Sequence, residues 1–174
     1  MPVLTRIRAL ALLAAMTAVS ACSDDKKAVQ LPTAPMVVAP TAVSAYLAVS
    51  NANPGVGSSV TVWVKARRGS AVGPIGSFTI RLAFDSTRLR FVESGQSAHG
   101  MVMANPAKNG IVLAAGASAE GFANDELLAA KFNVLGANAL GSLTLNVTEL
   151  NTVGFQDQRA NTSIARGLYR APTR

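Results

Sequence analysis

Histidine, cysteine and tryptophan each occur once in the 174 residues, as His99, Cys22 and Trp63. One cysteine excludes an intramolecular disulfide. One histidine and one thiol leave too few nitrogen and sulfur ligands for a transition-metal site. A Ser-His-Asp triad would have to use His99, in its Ser-Ala-His-Gly context, and no Gly-x-Ser-x-Gly elbow is present. Acids are also scarce. Asp85, Asp125, Glu126 and Asp157 all lie near turns, and the nine acids form no evident pair for glycoside hydrolysis. Asn124-Asp-Glu126 offers oxygen ligands but lacks the Asp-x-Asx-x-Asx-Gly loop of a calcium site. The expectation is a protein that is not an enzyme and carries no metal or other cofactor.

Charged residues make up only 14% of the chain, and their balance is +7. The excess is scattered over Lys26, Lys27, Arg67, Arg68, Arg159, Arg166, Arg170 and Arg174. Nucleic-acid binders cluster such charge on one element, with aromatics between, so no nucleic-acid partner is expected. A mild attraction to anionic lipid head groups or acidic glycans is compatible with it. Apolar residues at 49% argue against disorder and for one domain with a real core.

What the chain does have is alternation. Phe78, Ile80, Leu82 and Phe84 alternate with Thr79, Arg81 and Ala83, which places the large apolar side chains on one face of a strand. Asp85-Ser-Thr supplies a turn, and Leu89-Arg-Phe-Val92 resumes an extended pattern as that strand's partner. Strands are also expected at 43–49, 59–66, 101–104, 111–115, 126–134, 142–148 and 164–170. In 59–66, Val60, Val62 and Val64 claim the core face and point Trp63 outward. In 142–148, Leu143, Leu145 and Val147 point inward and Thr144, Asn146 and Thr148 outward. Asn109-Gly110 is a hairpin signal. Residues 126–134 read either as helix, from Glu-Leu-Leu-Ala-Ala-Lys, or as strand, from the spacing of Leu128, Ala130, Phe132 and Val134; their β neighbours favour strand. About nine short strands with regularly spaced turns indicate an all-β sandwich or barrel.

The first 21 residues read as an export signal. Arg6 and Arg8 precede an apolar run over 9–19 that is too short to span a bilayer. Val19-Ser-Ala-Cys22 resembles the lipobox of bacterial lipoproteins, which implies lipidation at Cys22. Ser23, rather than aspartate, follows; by the same resemblance this favours the outer membrane. Residues 22–42, with Pro32, Pro35 and Pro40, read as a stiff tether. The domain proper is expected over 43–171.

In order and spacing, the strands resemble a cohesin-like domain. The marks are Val60-Thr-Val-Trp-Val64, Phe78-Thr-Ile-Arg-Leu-Ala-Phe-Asp85 with Leu89 following, Gly110-Ile-Val-Leu-Ala114, Leu127-Leu-Ala-Ala-Lys-Phe-Asn-Val134 and Gly141-Ser-Leu-Thr-Leu145. The resemblance implies a nine-stranded jelly roll of two sheets and a non-catalytic module. Cellulosomal members bind dockerins, small calcium-loaded helical domains, across one sheet face. Related sandwiches in carbohydrate-degrading systems bind polysaccharide. Carried over, the partner-binding face would present Thr79, Arg81, Ala83, Val112, Ala114, Thr144, Asn146 and Thr148.

Three functions are therefore expected in order: a surface-anchored module docking a protein partner, a polysaccharide binder stacking sugar on Trp63, and a structural component of the envelope. An exposed tryptophan suits either a sugar ring or a protein anchor; the alternative is that a loop or the tether caps it. Replacing Cys22→Ser should release the protein from membranes, and labelled palmitate should be incorporated only when Cys22 is present.

Overall fold

The structure, a computed structural model, describes residues 31–32, 37–95 and 100–171. The export signal, Cys22, most of the tether and His99 lie outside them. Nine strands form two sheets. They are β1 (Val43–Val49), β2 (Ser59–Arg68), β3 (Ile75–Ala83), β4 (Leu89–Ser94), β5 (Met101–Lys108), β6 (Ile111–Ala117), β7 (Glu126–Val134), β8 (Thr144–Thr152) and β9 (Thr162–Arg170). One sheet has the order β4-β7-β2-β1-β9 and the other β5-β6-β3-β8. Only β1 and β9 pair in parallel. Short 3₁₀ turns occur at Ala123–Asp125, Ala139–Ser142 and Arg159–Asn161, and no α-helix occurs among the described residues. The architecture is the expected two-sheet jelly roll.

Alternation builds the core. Val43, Ala45, Leu47 and Val49 of β1 meet Val60, Val62, Val64 and Ala66 of β2 on the inner face, opposite Phe78, Ile80 and Leu82 from the other sheet. Phe132 of β7 is fully buried. The rings of Phe84 and Phe91 meet it edge-on, at centroid distances of 5.1 and 5.7 Å. Such edge contacts add to area burial because each ring's positive rim faces a negative π-cloud. Phe84 immediately follows β3, so this cluster ties the end of one sheet to the other.

The stretch after β3 departs from expectation. Leu89–Ser94 does not pair with β3; it crosses to the other sheet and pairs with β7, with Leu89 opposite Val134. The turn at Asp85 directs this crossing. The Asp85 carboxylate accepts from the Thr87 hydroxyl at 2.6 Å and the Thr87 amide at 2.9 Å, and its carbonyl accepts from the amides of Arg88 and Leu89. The Thr87 bonds, with Arg88 adding a smaller effect, hold the Asp85 carboxyl below its ordinary value. A compact multi-residue turn of this kind rotates the chain away from the plane of β3.

The expected hairpin forms at Asn109-Gly110, where Gly110 takes φ +84° and joins β5 to β6. Gly116 is needed for a different reason: a Cβ there would sit 2.5 Å from the Phe78 ring. The β5–β6 ladder breaks register between Asn105 and Lys108, around Pro106. Strand β8 is longer than its alternation suggests because of a bulge at Thr148: Ile80 pairs with Val147 and Thr79 with Glu149. The extra residue resets the inward set to Leu150 and Thr152, both buried.

Phe132→Ala would remove the ring on which Phe84 and Phe91 both rest. It should cost about 3–5 kcal/mol, read as a lowered denaturant midpoint. Phe132→Leu should cost distinctly less.

Candidate docking interface

Register fixes the outer face of the four-stranded sheet row by row. Met101, Ala117, Ser77 and Asn151 form one row; Met103, Ala115, Thr79 and Glu149 form the next. Asn105, Leu113, Arg81 and Asn146 follow, and then Ile111, Ala83 and Thr144. The face is thus divided lengthwise. The half on β5 and β6 is mostly apolar, with Met101 and Met103 each 72% exposed and Leu113 42% exposed. The half on β3 and β8 is polar. There Glu149 accepts from Thr79 at 3.1 Å and from Asn151 at 2.8 Å, while Asn151 also donates to the Ser77 hydroxyl at 3.1 Å. Thr148 donates to the Thr79 carbonyl at 3.0 Å, which pins the bulge.

Six of the eight residues expected on this face are there. Thr79, Arg81, Ala83, Thr144 and Asn146 share the outer surface, and Thr148 is exposed at the bulge. Val112 and Ala114 are not: they are 0% and 3% exposed and belong to the core. The reason is register. Val112 stands opposite Leu82 and Ala114 opposite Ile80, and both partners point inward. Every residue of Ile111–Ala117 is apolar or small, so its sequence carries no contrast between faces. Leu113, Ala115 and Ala117 take the outer positions instead.

The face also includes residues that alternation alone did not single out. Met101 and Met103 had a legible signal, as two long apolar side chains two apart on a strand. Phe155 had none. It is 93% exposed at the tip of the segment after β8 and takes φ +58°, a left-handed conformation that is strained for a non-glycine residue. The turn holds it there through hydrogen bonds from the Phe155 amide to the Thr152 carbonyl at 2.9 Å and from the Gln156 amide to the Thr152 hydroxyl at 3.1 Å. Beside it, Gly76, Ala117, Ala119 and Val153 help line an open recess of about 480 Å³. That recess continues the apolar half of the sheet past its end.

Trp63 lies on the outer face of the other sheet and is half-buried. It stands between Ala48 and Ala129, and Ala48 in turn pairs with Tyr169. Tyr46 meets Tyr169 edge-on at 5.1 Å. Trp63 and Tyr169 are therefore both part-exposed on this side of the sheet, with Tyr46 buried beneath Tyr169. Burial, with a smaller effect from Asp125, pushes the Tyr46 phenol above its ordinary 10.0. Asp125 itself is engaged by Arg68 at 2.8 Å.

No protein-family model matches the sequence, and no curated protein is detectably similar to it. The structure, however, matches solved ones. One is the second type II cohesin module from the cellulosomal adaptor ScaA scaffoldin of Acetivibrio cellulolyticus, with a TM-score of 0.53 at 12% identity over 72% of this chain and 94% of that one. Another is a non-cellulosomal cohesin from the hyperthermophilic archaeon Archaeoglobus fulgidus, with a TM-score of 0.55 at 16% identity over 76% and 92%. A third is the sixth cohesin from scaffoldin B of Acetivibrio cellulolyticus, solved in complex with a dockerin, with a TM-score of 0.52 at 16% identity over 73% and 99%. The domain has the cohesin fold. At these identities the likeness speaks for the fold alone. The cohesin-like strand order read from the sequence is thereby met in three dimensions, and the strands that carry Thr79, Val112 and Thr144 do pair within one sheet.

The inner and outer assignments on β6 can be separated by charge. Val112→Lys should lower the thermal midpoint sharply or abolish folding, since it buries an unpaired ammonium. Leu113→Lys, one residue on, should shift stability by less than about 0.5 kcal/mol.

Proposed function

We propose that this chain is a non-catalytic docking module, anchored to the cell envelope, whose β5-β6-β3-β8 face receives a protein partner. The observation that carries the reading is the divided face, with Met101, Met103 and Leu113 exposed along a single edge beside a hydrogen-bonded polar strip. Scattered exposed apolar residues need no explanation, whereas a contiguous rimmed patch marks an interaction site. Methionines suit such a surface because their unbranched side chains adapt to a partner's shape. Arg81 stands exposed beside the apolar edge and supplies the polar contact that fixes orientation. The cohesin fold supports this reading, since a solved relative of that fold holds a dockerin. A dockerin-type partner linked to polysaccharide degradation is the finer form of the proposal. Lipidation at Cys22 and an outer-membrane address complete it.

The polysaccharide reading keeps one specific observation in its favour, the part-exposed Trp63 and Tyr169 on either side of Ala48 on the opposite sheet. Sugar rings stack on such aromatic surfaces through their apolar C–H faces. The two readings place their ligands on opposite sides of the sandwich, so one experiment separates them. The wild-type chain is used to capture partners from envelope and secreted fractions, with and without calcium, beside Arg81→Glu, Met103→Lys and Trp63→Ala. A partner lost at least about tenfold with Arg81→Glu and Met103→Lys, and retained with Trp63→Ala, supports docking on the four-stranded sheet. Capture unchanged by both face variants removes that sheet. Loss of glycan binding with Trp63→Ala alone would move the site to the other side.

A further inference from the structure

The two ends of the sandwich differ in charge. Val49 pairs with Arg170 and Leu89 with Val134, so the end of β9 and the start of β4 lie at the same end of the five-stranded sheet. The segment around Val56 joins them there: the Gly57 amide donates to the Val134 carbonyl at 2.8 Å, and the Leu135 amide donates to the Arg88 carbonyl at 2.7 Å. Arg88, Arg90 and Arg170 are exposed at this end, with Arg166 on the adjoining part of β9. Between the edges lie Val56, 64% exposed, and Leu135, 42% exposed. The one acid at this end among the described residues is Asp85, already bound to Arg88 at 3.2 Å. Glu93 lies further along β4, paired with Lys131 at 3.4 Å. At the opposite end Arg67, Arg68 and Arg159 are offset by Glu120, Asp125, Glu126 and Asp157.

The first described residues of the chain also lie at the basic end. Leu31 packs against the core, and the Pro32 carbonyl accepts from the Arg170 amide at 2.7 Å.

We propose that this end is a lipid-facing surface, with Arg90 and Arg170 set against anionic head groups and Val56 and Leu135 at the interfacial level. Cationic side chains within a Debye length of an anionic bilayer are attracted to it. Apolar side chains among them gain by leaving water. The opposite end, where acids offset the arginines, lacks that attraction. The proposal rests on the anchored reading for its biological setting, and its chemistry is tested separately. Seated this way, the domain stands upright on the membrane and turns both sheet faces sideways, toward partners.

The test places a fluorophore at the proposed contact. In the full chain, Trp63→Phe removes the native tryptophan and Val56→Trp installs one at the basic end. The protein is reconstituted with phosphatidylcholine vesicles containing brominated acyl chains, with or without phosphatidylglycerol. Quenching is expected on the phosphatidylglycerol vesicles, weakened by added salt and lost when Arg90→Glu and Arg170→Glu are added. These are exposed strand positions, so a retained thermal midpoint should show that the fold persists. A tryptophan at the opposite end, installed as Phe155→Trp in the same Trp63→Phe background, should stay unquenched and serves as the control. No quenching, or equal quenching on neutral and anionic vesicles, overturns the proposal. Palmitate labelling decides the anchor independently: an unlabelled chain that is still quenched on anionic vesicles would retain the surface and remove the lipid attachment.

Discussion

Phe78, Ile80 and Leu82 are buried against the facing sheet, and a strand cannot bury them without turning Thr79 and Arg81 to solvent. The rest of the outer surface follows from that one constraint. Hydrogen-bonded register carries it from β3 to β6, where it selects Leu113 and Ala115, and from β6 to β5, where it selects Met101 and Met103. On the other side it selects Asn146 and Thr144. A slip of one residue at any ladder would exchange a core side chain for a surface one along a whole strand. The proposed docking surface is therefore the reverse side of the hydrophobic core, specified by the same bonds.

Where side-chain contrast is strong, the sequence is enough. The bounds Val43–Val49 and Glu126–Val134 are met by β1 and β7, because valines in the one and Leu128, Phe132 and Val134 in the other mark an inner face. Where contrast is weak, it fails. Ile111–Ala117 offers apolar or small residues on both faces, so only its partner strand could orient Val112 and Ala114. The sheet to which β4 belongs depends on the turn at Asp85, whose bonds to Thr87 no period describes. The bulge at Thr148 shows only in the pairing with β3. Phe155 stands out through backbone strain and exposure, both properties of the folded chain.

The sandwich divides its surfaces by chemistry. One sheet turns out methionines beside a polar strip. The other gathers its aromatic side chains over Ala48 and Ala129. The ends differ in charge. These surfaces do not compete for space, because two packed sheets leave two faces and two ends free. A β-sandwich is well suited to such separation, since its interior is indifferent to outward positions provided that alternation is kept.

An uncovered strand at the margin of a sheet is a template on which another chain can grow, and exposed apolar side chains make the template adhesive. Strand β5 has both properties, with Met101 and Met103 on its surface. The break in its ladder around Pro106 limits the danger. Proline has no amide hydrogen to offer, and the irregular backbone there cannot continue a regular ladder. The edge that carries the exposed methionines is thus interrupted before it can propagate a fibre, which lets the sheet keep an adhesive margin without a continuous template.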